Sequence, residues 1–167
     1  AIVTSTDPDH LDIYGDEEHY LEAFSSFTSL ICKGGTLIMH TGLKMKPDVK
    51  PGVNVMTYSG GPEGDWHAEE IKIGEGRITF TLIGPNGLRI EGLNPGVPVE
   101  INIDNAVAAA AAALTAGATV EEVRQGLATF KGAKRRFEVY LDGTETQSGV
   151  VMIDDYAHSP NEIRASI

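Results

Sequence analysis

The 167-residue sequence has a single cysteine, Cys32, so no disulfide can form within it. One unpaired thiol fits a reducing compartment, and a chain of this length can fold on its hydrophobic core without covalent staples. Basic residues are scarce: 13 Lys and Arg stand against 24 Asp and Glu, a formal charge of −11. That balance argues against nonspecific binding to nucleic acid or to an anionic membrane surface. No apolar run approaches the ~18 residues needed to span a bilayer, and no basic, apolar leader opens the chain. Trp66 and the five tyrosines form no stacking stripe. Gly-x-x-x-x-Gly-Lys-Ser/Thr, Gly-x-Gly-x-x-Gly, Gly-x-Ser-x-Gly and His-Glu-x-x-His are all missing.

What is present reads as an α/β fold. Residues 1–6 read as a buried strand, and residues 4–10 as the loop at its carboxyl end. Asp16 suits a helix N-cap. Behind it Tyr20, Leu21, Phe24, Phe27, Leu30 and Ile31 fall on one helical face, and Gly34-Gly35 stops the helix. Thr36 to His40 is a second apolar strand, giving the βαβ alternation of a parallel sheet. Residues 53–58, 67–73, 77–83 and 88–93 have period two and read as an antiparallel meander, with turns at 74–76 and 85–87. Residues 102–116 form an Ala-rich helix, and Thr119-Val120-Glu121-Glu122 is a capping box opening another. Residues 131–136 hold four of the thirteen basic residues and read as a linker. Strands at 137–141 and 150–153 follow, then a helix start at Pro160. The strand-like start and the short closing helix suggest a fragment of a longer protein.

Four constellations carry chemistry. Asp7-Pro8-Asp9-His10-Leu11-Asp12 follows a strand, where α/β sheets bind ligands. Its carboxylates suit Mg²⁺, its histidine Mn²⁺ or Zn²⁺, although Asp7 and Asp9 also suit plain turn capping. Asn102 and Asn105 put two amides on one helical face, able either to cap the helix or to read a purine edge. Arg135-Arg136 is a solvated pair or a phosphate fork. Asp154-Asp155-Tyr156-Ala157-His158-Ser159-Pro160 sets carboxylates at a strand end, for ribose hydroxyls or for a turn before a helix. His19, His40 and His67 show no carboxylate or Cys at ligand spacing and read as structural.

The order and spacing of these motifs resemble the Mur ligases. Thr4-Ser5-Thr6-Asp7-Pro8-Asp9-His10-Leu11-Asp12 is similar to their Asn-x-Glu-x-Asp-His-x-Asp loop, and Asn102-Ile103-Asp104-Asn105-Ala106 to their His-Asn-x-x-Asn-Ala helix start. Gly132-Ala133-Lys134-Arg135-Arg136-Phe137 resembles their Gly-x-x-Arg-Arg-Phe linker, and residues 154–160 their Asp-Asp-Tyr-x-His-x-Pro. Ile101 and Asp7 depart from the family, which has His and Glu there.

The resemblance implies a three-domain parent. Residues 1–130 would be the later part of its central ATP-binding domain, a parallel sheet plus antiparallel meander. Residues 131–167 would be the linker and first strands of a Rossmann-like C-terminal domain. It implies ATP with Mg²⁺, or Mn²⁺ in its place, and a cytoplasmic ligase of peptidoglycan synthesis. His10 would hold the metal, and Asn102, Asn105, Arg136, Asp155 and His158 the nucleotide. No residue of this chain is assigned as catalytic. Asp-His-Leu-Asp-Ile-Tyr-Gly with the double Arg looks most like the branch that joins L-alanine to UDP-N-acetylmuramate. A tripeptide-recycling branch, another Mur ligase or a noncatalytic nucleotide-binding module are the alternatives. The family's phosphate-binding loop would precede residue 1, so the 167 residues alone are expected to be inactive.

Overall fold

The computed structural model describes residues 1–74, 76–142, 149–158 and 160–166. Glu75 of the expected hairpin turn, Ser159 of the acidic-pair motif and Ile167 of the closing helix lie outside the described residues. The elements run β1 (Ile2–Val3), α1 (Leu11–Tyr14), α2 (Glu17–Ser29), β2 (Thr36–His40), β3 (Asn54–Ser59), β4 (Trp66–Gly74), β5 (Arg77–Gly84) and β6 (Leu88–Leu93). Then come α3 (Ile101–Thr115), α4 (Val120–Thr129), β7 (Glu138–Asp142), β8 (Val151–Asp154) and α5 (Pro160–Ser166). Strands β1 to β6 form one sheet in chain order, and β7 and β8 a separate antiparallel pair.

Three layers result. Along β2 successive side chains alternate faces. Leu37 and Met39 join Val3 and Met45 under α2, while Ile38 faces the larger core beneath α3 and α4. That core is built from Tyr58, Phe80, Leu82 and Leu93 against Ala106, Val107, Ala110 and Ala111 of α3. The small alanine side chains let α3 lie close on the sheet. Fully burying a side chain the size of Leu or Phe contributes about 1.5–3 kcal/mol, so these contacts dominate the fold's stability. The predicted capping box of α4 is complete: Thr119 Oγ1 accepts the Glu122 N–H at 3.2 Å, and the Glu122 carboxylate accepts the Thr119 N–H at 2.8 Å. That backbone hydrogen bond holds the Glu122 carboxyl below its usual value. Its stabilisation is therefore full above the ordinary carboxylate range and is lost as pH falls through the lowered value.

The structure corrects three sequence expectations. The first strand is two residues, not six, because Ser5 Oγ accepts the Asp7 N–H at 3.0 Å and turns the chain away from the sheet. The segment expected to open the meander, β3, pairs parallel with β2, and β4 is parallel to β3. Within the six-stranded sheet, antiparallel pairing is confined to β4, β5 and β6. A six-residue connection suffices between parallel β3 and β4 because Trp66 starts level with Tyr58, so the chain sidesteps one strand spacing without doubling back.

Finally, Phe27 and Leu30 on the expected apolar face of α2 are exposed, at 47% and 72%. Leu21, Phe24 and Ile31 of that face do pack, partly buried, on the core beneath, and the fully buried position beside them is Thr28. Thr28 Oγ1 donates to Ser25 O and accepts from the Asp48 N–H, while Ser25 Oγ donates to Lys46 O. Polar side chains on this helix thus face the sheet side to satisfy a backbone loop. As expected, Asp16 caps α2 by accepting the His19 N–H at 2.9 Å.

Candidate functional site

The parallel strands β1, β2 and β3 point their carboxyl ends at one edge of the sheet, and the start of α3 rises beside it. Against this edge the linker brings Arg136, and the turn after β8 brings Asp155. Thr4, Asn102, Asn105, Phe130, Arg136 and Asp155 line one cleft of about 490 Å³. Four of the five residues expected to hold nucleotide therefore meet in one wall, although they span more than fifty positions of sequence.

Each is held by identifiable partners. Asn102 Nδ2 donates to Val97 O at 3.2 Å, and Asn105 Nδ2 donates to Asn102 Oδ1 at 3.2 Å. Neither amide caps the helix, whose N-cap residue Glu100 also offers no side-chain cap. Asn105 Oδ1 remains to accept from a ligand. Arg136 Nη1 lies 3.3 Å from Glu162 Oε1. Arg135 instead stacks its guanidinium 4.5 Å over the Tyr156 ring, and its carbonyl accepts the Tyr156 N–H at 2.8 Å. Arg135 and Phe137 both have positive φ, 58° and 48°, so the backbone twists sharply on either side of Arg136. One arginine fastens the linker and the other faces the cleft. Asp155 accepts from the Ala157 N–H at 3.1 Å and from Ser166 Oγ at 2.5 Å.

His158 and His10 stand outside that wall and flank Asp9, whose Oδ2 is 3.7 Å from His158 Nε2 and 3.6 Å from His10 Nε2. The pKa of His158 is raised, first by its hydrogen bond with the Tyr156 backbone and then by the Glu162 and Asp9 charges. His10 itself is in the left-handed region at φ 52°, set by Asp9 Oδ1 accepting its N–H at 2.8 Å. Among the described residues no group of three or more His, Cys, Asp or Glu is gathered closely enough to hold a metal ion. His10 could contribute one ligand, and the rest of a coordination sphere would have to come from phosphate oxygens, water or other residues.

All three histidines that sequence spacing left without carboxylate partners have them, His67 through Glu69, whose Oε1 lies 3.7 Å from its Nε2. His19 Nδ1 sits 2.8 Å from Asp16 Oδ1, three positions away. His40, at the end of β2, lies 3.0 Å from Asp104 in the first turn of α3, sixty-four positions away, and no local pattern could have paired them. Behind Asn105 and Phe130 a second cleft of about 410 Å³ runs between α3 and α4, almost wholly apolar.

The sequence profile of the Mur ligase middle domain matches residues 1–113. The chain belongs to this family. It is 51% identical over 168 aligned positions to the UDP-N-acetylmuramate–L-alanine ligase of Porphyromonas gingivalis, covering 100% of this chain and 36% of that protein. It is 48% identical over 167 positions to the enzyme of the same name from Phocaeicola vulgatus, covering 100% and 35%. Among solved structures it resembles the UDP-N-acetylmuramate–alanine ligase MurC of Thermotoga maritima, with a TM-score of 0.78, 27% identity, and coverage of 98% and 36%. The chain thus spans about a third of the length of the curated relatives it matches. The Mur ligase fold expected from the motifs is the fold observed: an α/β central domain with a mixed parallel and antiparallel sheet.

Proposed function

We propose that this chain serves an ATP-dependent ligase that joins L-alanine to UDP-N-acetylmuramate in peptidoglycan precursor synthesis. The observation that carries the reading is the match of the whole chain, at about half identity, to relatives of that one name. The clustering of Asn102, Asn105, Arg136 and Asp155 in one cleft supports it.

In the proposed reaction a carboxylate oxygen of the sugar nucleotide attacks the γ-phosphorus of ATP, and ADP leaves. The alanine amine then adds to the acyl phosphate, loses a proton, and inorganic phosphate departs as the amide forms. Phosphorylation is needed because a carboxylate oxygen is a poor leaving group at neutral pH. Asn105 reads the adenine edge, with Asn102 holding its amide in place. Asp155 accepts from ribose hydroxyls, and His158 closes the edge of the nucleotide site. Arg136 exchanges Glu162 for phosphate oxygens; an exposed ion pair of this kind is worth about 1 kcal/mol or less, so the exchange is inexpensive. His10 would hold Mg²⁺ or Mn²⁺, which supplies charge compensation for the phosphoryl group.

On this reading residues 1–130 belong to the central domain and residues 131–167 to the linker and the start of the C-terminal domain. Among the described residues no helix is long and apolar enough to cross a membrane, and a cytoplasmic location agrees with the substrates proposed. The test is phosphate release by the full-length protein with ATP, UDP-N-acetylmuramate and each of alanine, other amino acids and a stem tripeptide. Release dependent on alanine is the expected result. Release with the tripeptide alone would move the chain to a recycling ligase. Nucleotide binding with no release under any condition would make it a noncatalytic module.

A further inference from the structure

The start of α3 is fastened in an unusual way. Glu100 precedes it with no side-chain cap, and Ile101 at its first position is 48% exposed. Beside the Asn102 amide on Val97 O, the anchoring to the sheet comes from the fourth residue. Asp104 Oδ1 accepts the Gly60 N–H at 2.6 Å and lies 3.0 Å from His40 Nε2. His40 Nδ1 in turn lies 2.6 Å from Thr41 O, and its ring meets Tyr58 edge-on at 5.2 Å. One carboxylate oxygen thereby ties together the end of β2, the loop after β3 and the first turn of α3. Burial, and secondarily the Asp104 charge, push the Tyr58 hydroxyl up to about 12. The contact is also sterically tight: a Cβ on Gly60 would fall 2.8 Å from Asp104 Oδ2 and 3.0 Å from the Asp104 backbone nitrogen.

An α-helix turns by about 100° per residue, so Asp104 projects from a different flank of α3 than Asn102 and Asn105. Holding one flank fixes the rotation of the first turn about its axis and therefore the direction of the amides. We propose that Asp104 and His40 are a positioning pair for the cleft lined by Asn102 and Asn105. They touch no ligand themselves; they aim the amides that do. This inference rests on the reading of that cleft as the ATP site.

The experiment uses the full-length protein and a nonhydrolysable ATP analogue, with affinity, KM for each substrate, kcat and melting temperature measured for every variant. Asp104→Ala is expected to weaken analogue binding and raise KM for ATP about tenfold, because small misplacements of positioned groups cost one to two orders of magnitude. KM for the sugar nucleotide should stay within about twofold of wild type. Asp104→Asn keeps an oxygen for both hydrogen bonds and should restore affinity to within about twofold. Gly60→Ala, which wedges the same contact without removing a polar group, should mimic Asp104→Ala and serves if that variant fails to fold. Wild-type ATP affinity in Asp104→Ala or Gly60→Ala, whatever the melting temperature, would overturn the proposal, as would equal losses in Asp104→Asn and Asp104→Ala. Asn105→Ala separates the two levels of inference. If it weakens ATP binding while Asp104→Ala does not, only the positioning role falls; if wild type binds ATP and Asn105→Ala binds it equally well, the nucleotide reading of the cleft falls.

Discussion

Replacing Arg136 with alanine in the full-length protein is expected to reduce ligase turnover at subsaturating ATP by about a hundredfold, the scale of removing one preorganised donor from a developing charge. Arg135→Ala should cost less than about fivefold, since that guanidinium stacks on Tyr156, whereas Arg136 lines the cleft. Arg136→Lys should not restore the loss, because an ammonium lacks the planar fork that meets two phosphate oxygens at once. The contrast matters more than either number. The two side chains are neighbours in sequence and equal in charge, and only the backbone twist at Arg135 and Phe137 separates their directions. Initial rates across an ATP titration decide it: a larger defect in Arg135→Ala than in Arg136→Ala would refute the assignment of roles.

Gly96→Ala should produce the larger effect on stability. Gly96 has φ +80°, held by Asn94 Oδ1 accepting its N–H at 2.8 Å. A Cβ there would lie 2.1 Å from Phe130 O and 2.8 Å from Leu127 O. Those carbonyls close the end of α4 and cannot swing aside as a side chain would. The left-handed backbone costs a non-glycine residue about 1–2 kcal/mol, and relieving the overlap adds about 1–3 kcal/mol. Gly117→Ala isolates the first of these, for Gly117 has φ +99° and open space around it. Denaturant midpoints of the two variants should therefore differ clearly, Gly96→Ala being the lower. Equal midpoints would mean that α4 yields to the methyl group. Since Phe130 lines the cleft, Gly96→Ala should also weaken nucleotide binding.

Much of the fold could be read in the sequence where the signal is local. Thr36–His40 stands as a strand because five residues of suitable type sit between Gly-Gly and a turn, and the capping box at Thr119 and Glu122 marks its helix unambiguously. The reading weakened wherever a distant partner decides. Period-two residues 53–58 carry no mark of parallel or antiparallel pairing, so the sequence alone does not separate β3 from the meander that follows it. Phe27 follows the apolar spacing of α2, yet Thr28 and Ser25 take the inward positions because the loop at 46–48 needs hydrogen-bond partners. At the site the same division holds. Motif spacing pointed to Asn102, Asn105, Arg136 and Asp155, which line one cleft. It could not reveal that His40 meets Asp104, because that contact exists only once β2 and α3 have packed together.

The mixed sheet also has a kinetic consequence. Strands β4, β5 and β6 are joined by connections of two and three residues, whereas pairing Ile2 with Ile38 must close thirty-six positions of chain. Loop closure of that length is entropically dearer, and topologies with distant pairings form more slowly. The antiparallel half should therefore nucleate the molecule and offer β3, then β2, then β1 a template. Pulse-labelled amides of β5 should gain protection before those at Ile38 and Met39, and the reverse order would exclude this route. The strand ends at the edge beside the cleft are then assembled last, on a scaffold that is already rigid.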